Sequence, residues 1–350
     1  MKKLLVDYSE SELAAELMPL NIEKYRIGQI YKWLNCGTDF DGMTNLPKEL
    51  RARLSEEYTA LGARIVKASV SGDGTVKFLF RLCDGNLIEG VLMKYKYGNT
   101  LCVSTQVGCR MGCAFCASGI DGLLRNLTAG EMLSEVICAN AYLRMSDADA
   151  RIGNVVLMGS GEPLDNYENV TGFIRHLSAG QGIGQRSVSL STCGLVSGIR
   201  RLADDGYSVT LCISLHAPTD DKRVQIMPTA RAYKIADIIS AAAYYFEKSG
   251  RRVIFEYAMM RDFNISSDDA ENLRKLTHSF PSHINLIPLN ETGSKLKGVN
   301  KKEADTFLKK LTSLGASATV RRSLGDDIEG ACGQLKRKYA KDYSGGSNDG

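Results

Sequence analysis

From residue 100 onward the chain alternates between short apolar runs and amphipathic stretches, and this alternation restricts the fold more than any other feature. Strand-like runs fall at 101–105, 154–158, 187–192, 209–215, 253–259 and 284–288. Helix-like stretches follow them, beginning near Thr128, Tyr167, Ser197, Lys234, Asp268 and Lys301. The helical period is clearest in Ile235, Ile238, Ile239, Ala242, Tyr245 and Phe246, and again in Ala304, Phe307, Leu308 and Leu311. Thr128 with Glu131 three residues on forms a capping box that opens the first of these helices. Six βα units in series predict an α/β fold with a parallel sheet. Right-handed crossovers put the helices on one side, which gives a partial (β/α)6 barrel. A last strand is expected at 318–322.

Upstream, residues 1–60 read as a small helical accessory domain. Ser9-Glu10-Ser11-Glu12-Leu13 opens one helix, and residues 26–34 form another with Ile27, Ile30 and Leu34 on one face. Pro47 stands at an early position of a third. Lys24, Tyr25, Arg26, Tyr31, Lys32 and Trp33 interleave cations with aromatics, as a nucleic-acid surface does, although Trp33 suits core packing better. Residues 61–99 form an extension with a β-hairpin, 75–82 and 87–93 around the turn at Asp84-Gly85-Asn86. Glu89 interrupts the second of these strands. Such a carboxylate ordinarily faces water, and is a candidate base if it points into a site. The barrel is expected over 100–325, with 326–350 a C-terminal segment ending in a basic tail expected to be disordered.

The chain of 350 residues suits a barrel of about 250 residues with an added domain. The opening Met1-Lys2-Lys3-Leu4-Leu5-Val6-Asp7 has too short an apolar run for a signal peptide, and nothing later reaches membrane-spanning length, so a cytoplasmic location is expected. Ten cysteines in such a chain point to metal and redox chemistry rather than a disulfide framework. The net charge of +4 is uneven. Residues 292–341 hold 12 Lys or Arg against 5 Asp or Glu, which suits a polyanionic partner or, equally, a solvated helix face and tail.

The candidate chemistry falls at the C-terminal ends of the predicted strands, where a barrel builds its site. After the first comes Cys109-Arg110-Met111-Gly112-Cys113-Ala114-Phe115-Cys116, three cysteines spaced C-x3-C-x2-C. No paired C-x2-C elsewhere completes four sulfurs, so a polynuclear site would be one protein ligand short. A structural zinc completed by a distant His or Cys, or buried free thiols, would also use such residues. The second strand leads into Gly159-Ser160-Gly161-Glu162-Pro163, where small residues admit a ligand and Glu162 offers a carboxylate to an ammonium. The later strands end in Ser191-Thr192-Cys193-Gly194, in Ser214-Leu215-His216 and in Pro288-Leu289-Asn290.

The cysteine spacing, with Phe115 before the last cysteine, resembles that of the radical S-adenosylmethionine enzymes. In these, three cysteines hold a 4Fe-4S cluster whose fourth iron is free for a ligand. Over about residues 20 to 335 the chain is similar to the RlmN family, radical S-adenosylmethionine methyltransferases acting on carbon 2 of an adenine in 23S ribosomal RNA and, in some bacteria, of an adenine beside the tRNA anticodon. The resemblance implies Cys109, Cys113 and Cys116 as cluster ligands. It implies Gly161, Glu162, Ser191, Ser214, Leu215, His216 and Asn290 as residues holding S-adenosylmethionine. Gly161-Glu162-Pro163-Leu164 favours this family over the sister Cfr enzymes, which act on carbon 8. Ser160 stands where many relatives carry Met.

Two further cysteines match the family pattern, Cys102 before the cluster loop and Cys332 near the C-terminus. By the mechanism the resemblance implies, one S-adenosylmethionine methylates Cys332, and a radical from a second converts that S-methyl group to a methylene radical that adds to the base. Glu89 then removes the ring proton, and Cys102 attacks sulfur to release product as a Cys102–Cys332 disulfide forms. Cys36, Cys83, Cys138, Cys193 and Cys212 are read as structural. The resemblance further implies ribosomal and transfer RNA as partners, an electron donor such as flavodoxin or ferredoxin, no membrane and a monomeric state. A zinc-stabilised RNA-binding protein without turnover is the alternative of another class.

Overall fold

The computed structural model describes residues 2–289, 296–322 and 324–328. In chain order the elements are β1 (Lys3–Leu4), α1 (Glu10–Leu17), α2 (Lys24–Cys36), α3 (Lys48–Glu57), β2 (Tyr58–Thr59), β3 (Ala63–Val70), β4 (Val76–Leu82), β5 (Leu87–Tyr95), β6 (Gly98–Cys102), β7 (Gln106–Gly108) and β8 (Leu123–Asn126). They continue as α4 (Ala129–Arg144), β9 (Ile152–Leu157), α5 (Tyr167–Gln181), β10 (Val188–Thr192), α6 (Val196–Asp204), β11 (Thr210–Ser214), α7 (Asp220–Ile226) and α8 (Ile235–Ser249). The last are β12 (Val253–Met259), α9 (Ser267–Leu276), β13 (Ser282–Pro288), α10 (Lys301–Ser313) and β14 (Ala318–Val320).

One ten-stranded sheet runs in the order β14-β13-β12-β11-β10-β9-β6-β5-β4-β3. From β6 to β14 each neighbour pairs in parallel, as the βα series requires. The expected hairpin is present and antiparallel, and β3 adds a third strand on its outer side. The extension is no separate unit, because β5 pairs antiparallel with β6 and continues the barrel sheet. The sheet curls, so that Val91, Met93 and Tyr95 of β5 line the same cavity as Arg321 and Arg322 just past β14.

Local capping explains where the helices begin. Ser9 Oγ accepts from Glu12 N while Ser9 N donates to Glu12 Oε2 at 2.8 Å. Thr128 and Glu131 form the same reciprocal pair at the start of α4, as the spacing predicts. Ser266 with Asp269 and Asn300 with Glu303 repeat the device at α9 and α10.

The N-terminal helices share one hydrophobic core with the barrel instead of enclosing a small core of their own. Leu13, Leu17, Ile30 and Leu34 belong to the same buried cluster as Val136, Ile137 and Phe173 of α4 and α5. Burying each such side chain contributes about 1.5–3 kcal/mol. Polar contacts fix the seam: Gly130 N donates to Asp7 Oδ1 at 2.6 Å, and Gln181 Nε2 to the Asn35 carbonyl at 3.0 Å. A Cβ on Gly130 would lie 2.6 Å from Asp7 N, so this approach requires glycine. Trp33 packs against the core, half-buried, with Nε1 donating to Asn45 Oδ1 at 2.6 Å.

Candidate active site

The C-terminal ends of the parallel strands surround a cavity of about 400 Å³. The cysteine loop closes one side of it. Strands β7 and β8 pair antiparallel and bring the two ends of the loop together, an element the sequence does not announce. Gly108 has φ 83°, and a Cβ there would lie 2.0 Å from the Gly122 carbonyl oxygen, which itself accepts from Cys109 N at 2.9 Å. Within the loop Cys116 N donates to the Cys113 carbonyl, and Ala114 N to the Ile226 carbonyl at 2.9 Å. Short helix α7, which no sequence signal suggested, thereby supports the loop.

Cys109, Cys113 and Cys116 all line the cavity, beside Met111, Phe115 and Met227. Burial pushes the Cys109 thiol up to about 11 and the Cys113 thiol up to about 12, the neighbouring cysteines adding to the latter. Neighbouring thiolates coexist only against strong positive charge, which a metal cluster would supply. Among the described residues no three His, Cys, Asp or Glu side chains converge as a single ion would need. Three cysteines on one cavity wall beside Met111, Phe115 and Met227 suit a polynuclear group with one open metal position, and so fit a 4Fe-4S cluster.

Strands β6 and β9 meet at the next wall. A Cβ on Gly161, which has φ 114°, would sit 2.5 Å from Thr105 Oγ1 and 2.8 Å from Gln106 N. Glu162 is buried, its Oε1 accepting from Leu164 N at 3.0 Å and its Oε2 from Cys193 N at 2.7 Å. Each oxygen thus takes one backbone hydrogen bond, and the Thr192 and Cys193 side chains add to the donors around the carboxylate.

Ser191, Ser214 and His216 lie along the same cavity. His216 adopts φ 57°, accepts from Ala258 N through Nδ1 at 3.0 Å, and so carries its proton on Nε2. Burial, with the Arg223 charge nearby, pulls its pKa down to about 3, so the ring is neutral. Phe115 packs edge-on against it with centroids 4.8 Å apart. Leu215 does not line the cavity: its side chain is in the main core, and its carbonyl accepts from Arg223 Nε at 3.2 Å. Asn290 lies outside the described residues, as does Cys332.

Cys102, at the end of β6, lines the cavity, and burial pushes its thiol up to about 12. Glu89 does not reach the lining. It lies on the cavity face of β5, two residues from Val91, which pairs with Cys102. Its Oε2 is 3.2 Å from Lys77 Nζ. Of the cysteines read as structural, Cys193 also lines the cavity, while Cys212 is buried in the sheet.

Sequence reasoning missed two charged residues here. Glu256 on β12 lines the cavity, accepts from Ser191 Oγ at 2.8 Å, and has an Oε1 without a hydrogen-bond partner among the described residues. A carboxylate inside an apolar strand, the signal that singled out Glu89, was also present at Glu256. Arg223 on α7 is fully buried, with Nη2 donating to the Cys193 carbonyl at 2.6 Å, and its charge bears on Cys113.

The chain beyond β14 is tied to the turn between β3 and β4. Gly325 N donates to Asp73 Oδ2 at 3.0 Å, Gly72 N to Asp327 Oδ2 at 3.0 Å, and Ser71 Oγ to Asp327 Oδ1. Thr75, through its backbone N–H and its side chain, and then Gly325 N hold the Asp73 carboxyl below the usual carboxylate range, and Ser71 and Gly72 do the same for Asp327.

A partial parallel barrel with three cysteines around an open cavity defines a radical S-adenosylmethionine enzyme, and residues 103–275 match the Radical SAM superfamily. Residues 4–59 match the ribosomal RNA large subunit methyltransferase N-terminal domain. A probable dual-specificity RNA methyltransferase RlmN of Clostridium botulinum is 48% identical over 344 residues, covering 97% of this chain and 98% of that protein. One from Clostridium perfringens is 48% identical over 345 residues, with the same coverage of both chains. The crystal structure of a radical SAM methyltransferase from Sphaerobacter thermophilus superimposes with a TM-score of 0.91 at 42% identity, covering 95% of this chain and 98% of that one. The chain belongs to the RlmN family, and is an RNA methyltransferase of the radical SAM superfamily. No helix among the described residues is long and apolar enough to cross a membrane.

Proposed function

We propose that this enzyme methylates carbon 2 of an adenine in 23S ribosomal RNA and of the adenine beside the anticodon in tRNA, using Cys332 as an S-methyl carrier. The observation that carries this reading is the shared cavity: Cys102, the three cluster cysteines and the polar strand ends Glu162, Ser191, Ser214 and His216 open onto one space. Bound there, a cluster would supply the electron that cleaves S-adenosylmethionine, and S-adenosylmethionine would supply both the methyl group and the hydrogen-abstracting radical, two molecules per turnover.

The protein's own residues do the rest. Cys109, Cys113 and Cys116 hold the cluster. Gly161 leaves room for the cofactor backbone, Glu162 takes its ammonium, and Ser191, Ser214, His216, Asn290 and the Leu215 backbone hold the remainder. Cys332 accepts a methyl group by displacement, because carbon 2 of adenine is not nucleophilic. Glu89 takes the ring proton, and the Cys102 thiolate attacks the Cys332 sulfur. Oxidation of the two thiols to a disulfide supplies the two electrons that reduce the bound methylene, and a proton completes the methyl group.

The N-terminal helices, with Lys24, Arg26 and Lys32, and the basic C-terminal third contact RNA phosphates. Segments 1–60, 61–99, 100–325 and 326–350 serve as RNA-binding, extension, barrel and carrier segments of a monomer fed by a flavodoxin- or ferredoxin-class donor. The test is incubation of reconstituted enzyme with a 23S fragment and with tRNA, followed by mass spectrometry of the nucleosides. Methyl groups on carbon 2 in both are expected. Methylation at carbon 8, or none by a fully cluster-loaded preparation, overturns the reading.

The tether past β14 predicts a second result. Asp327→Ala removes the acceptor for Gly72 N and Ser71 Oγ five residues before Cys332. Product formation is expected to fall about tenfold, because an unanchored carrier samples fewer productive positions. Cluster content and the melting temperature should stay near those of the parent, since Asp327 is exposed. An unchanged rate shows that the tether does not position the carrier.

A further inference from the structure

We propose that Lys77 is a positioning residue of the same reaction: its ammonium holds the Glu89 carboxylate in place on the cavity face of β5, without itself touching RNA or cofactor. This rests on the reading of Glu89 as the base. Lys77, on β4, is fully buried, and its Nζ lies 3.2 Å from Glu89 Oε2. The register pairs Lys77 with Val91 and Leu79 with Glu89, so Lys77 and Glu89 are diagonal neighbours on one face. That face continues through Val91 and Met93 into the cavity, and Val91 pairs with Cys102. Ser104 Oγ donates to the Glu89 carbonyl at 2.8 Å and pins the strand at this point.

The other face of the same strand provides an internal comparison. A Cβ on Gly90 would point at Glu135 Oε2, 3.4 Å away. Glu135 is fully buried, accepts from Ser104 N at 3.3 Å, and has an Oε1 without a hydrogen-bond partner among the described residues. Burial raises its pKa well above the usual carboxylate range, toward the protonated form. A buried carboxyl left without a cation protonates in this way and then cannot accept a proton. Two buried carboxyls thus sit back to back on β5 and α4, and the one facing the chemistry has the lysine.

Stability alone gives little reason for the pair, because a buried ion pair is commonly no more stabilising than apolar residues of the same size. A base has such a reason. In the step assigned to Glu89 the ring C–H bond breaks, the proton goes to a carboxylate oxygen, the electron pair stays in the ring, and the unpaired electron of the adduct would return to the cluster that supplied one at the start of the turnover. The Lys77 ammonium, 3.2 Å from Glu89 Oε2, holds the carboxylate in place for that transfer.

The test uses full-length, cluster-loaded enzyme and RNA carrying either hydrogen or deuterium at carbon 2 of the target adenine. Lys77→Met, Lys77→Arg, Glu89→Gln and the Lys77→Met/Glu89→Gln double variant are compared. Lys77→Met should lower kcat at least about tenfold at unchanged KM for RNA. It should also accumulate a covalent protein–RNA adduct on denaturing gels and enlarge the isotope effect. Lys77→Arg should restore much of the rate, and the double variant should be no slower than Glu89→Gln. If Lys77→Met does not fold, Lys77→Gln, uncharged but still able to hydrogen-bond, is read by the same criteria. A slow Glu89→Gln with Lys77→Met at parental rate and isotope effect overturns the role of Lys77 alone. Parental turnover by Glu89→Gln overturns the base itself, and with it this inference.

Discussion

Cys113→Ala protein purified without oxygen is expected to be colourless and to hold iron near background, against about four irons per chain for the parent. Cys113 is the middle cysteine of the loop and the proposed ligand there, and its backbone carbonyl already accepts from Cys116 N. The substitution therefore removes a ligand and leaves the hairpin of β7 and β8 that shapes the loop. Its thiol packs against a small cluster of Cys193, Ala217, Ile226, Met227, Ala258 and Met260, apart from the main core. Losing one sulfur there costs about 1 kcal/mol. Far-ultraviolet circular dichroism should accordingly be unchanged and the melting temperature of the cluster-free protein shifted by a few degrees at most. Iron near the parental level in this variant would refute the ligand assignment.

Cys102→Ala should stall the enzyme as a covalent adduct between Cys332 and RNA. Methyl transfer to Cys332 and addition to the base do not need the Cys102 thiol, whereas release requires a nucleophile at sulfur. Cys102 lines the cavity and is held by its pairing with Val91, so no other element need move when it is truncated. With Cys332→Ala there is no carrier, and neither adduct nor product should form, although cofactor cleavage persists uncoupled. Denaturing gels of labelled RNA should show a shifted, protease-sensitive band for Cys102→Ala and none for Cys332→Ala. A zinc-stabilised binding protein would show no such band, and a direct-transfer methyltransferase would tolerate both changes. Absence of the band from Cys102→Ala, with cluster and cofactor binding intact, would sink the role given to that thiol.

The parts of this molecule that could be read along the chain are those whose signals are local. The capping pair of Thr128 and Glu131 spans four residues, the cysteine loop eight, and each βα unit carries its own periodicity. Those signals were enough for a partial parallel barrel with a metal-binding loop after its first strand, and resemblance then attached a chemistry to the loop. The boundaries moved where a partner strand intervened. The first barrel strand is Gly98–Cys102, displaced from the apolar run at 101–105, because the tight turn after Tyr95 pairs β6 with β5.

What the tertiary structure alone decided is which distant side chains share a space, and what charge they carry there. Glu89, Glu135 and Glu256 are each a carboxylate among apolar neighbours, indistinguishable by pattern. In the folded chain one pairs with Lys77, one is buried behind the sheet with its pKa pushed up, and one accepts from a serine in the cavity. Arg223 reads as an ordinary residue of a short polar helix, yet it is fully buried beside the cysteine loop. The physical reason is that periodicity reports which face of an element is apolar. The register between strands, fixed only when the sheet assembles and curls, sets which polar groups meet and how far water is excluded from them.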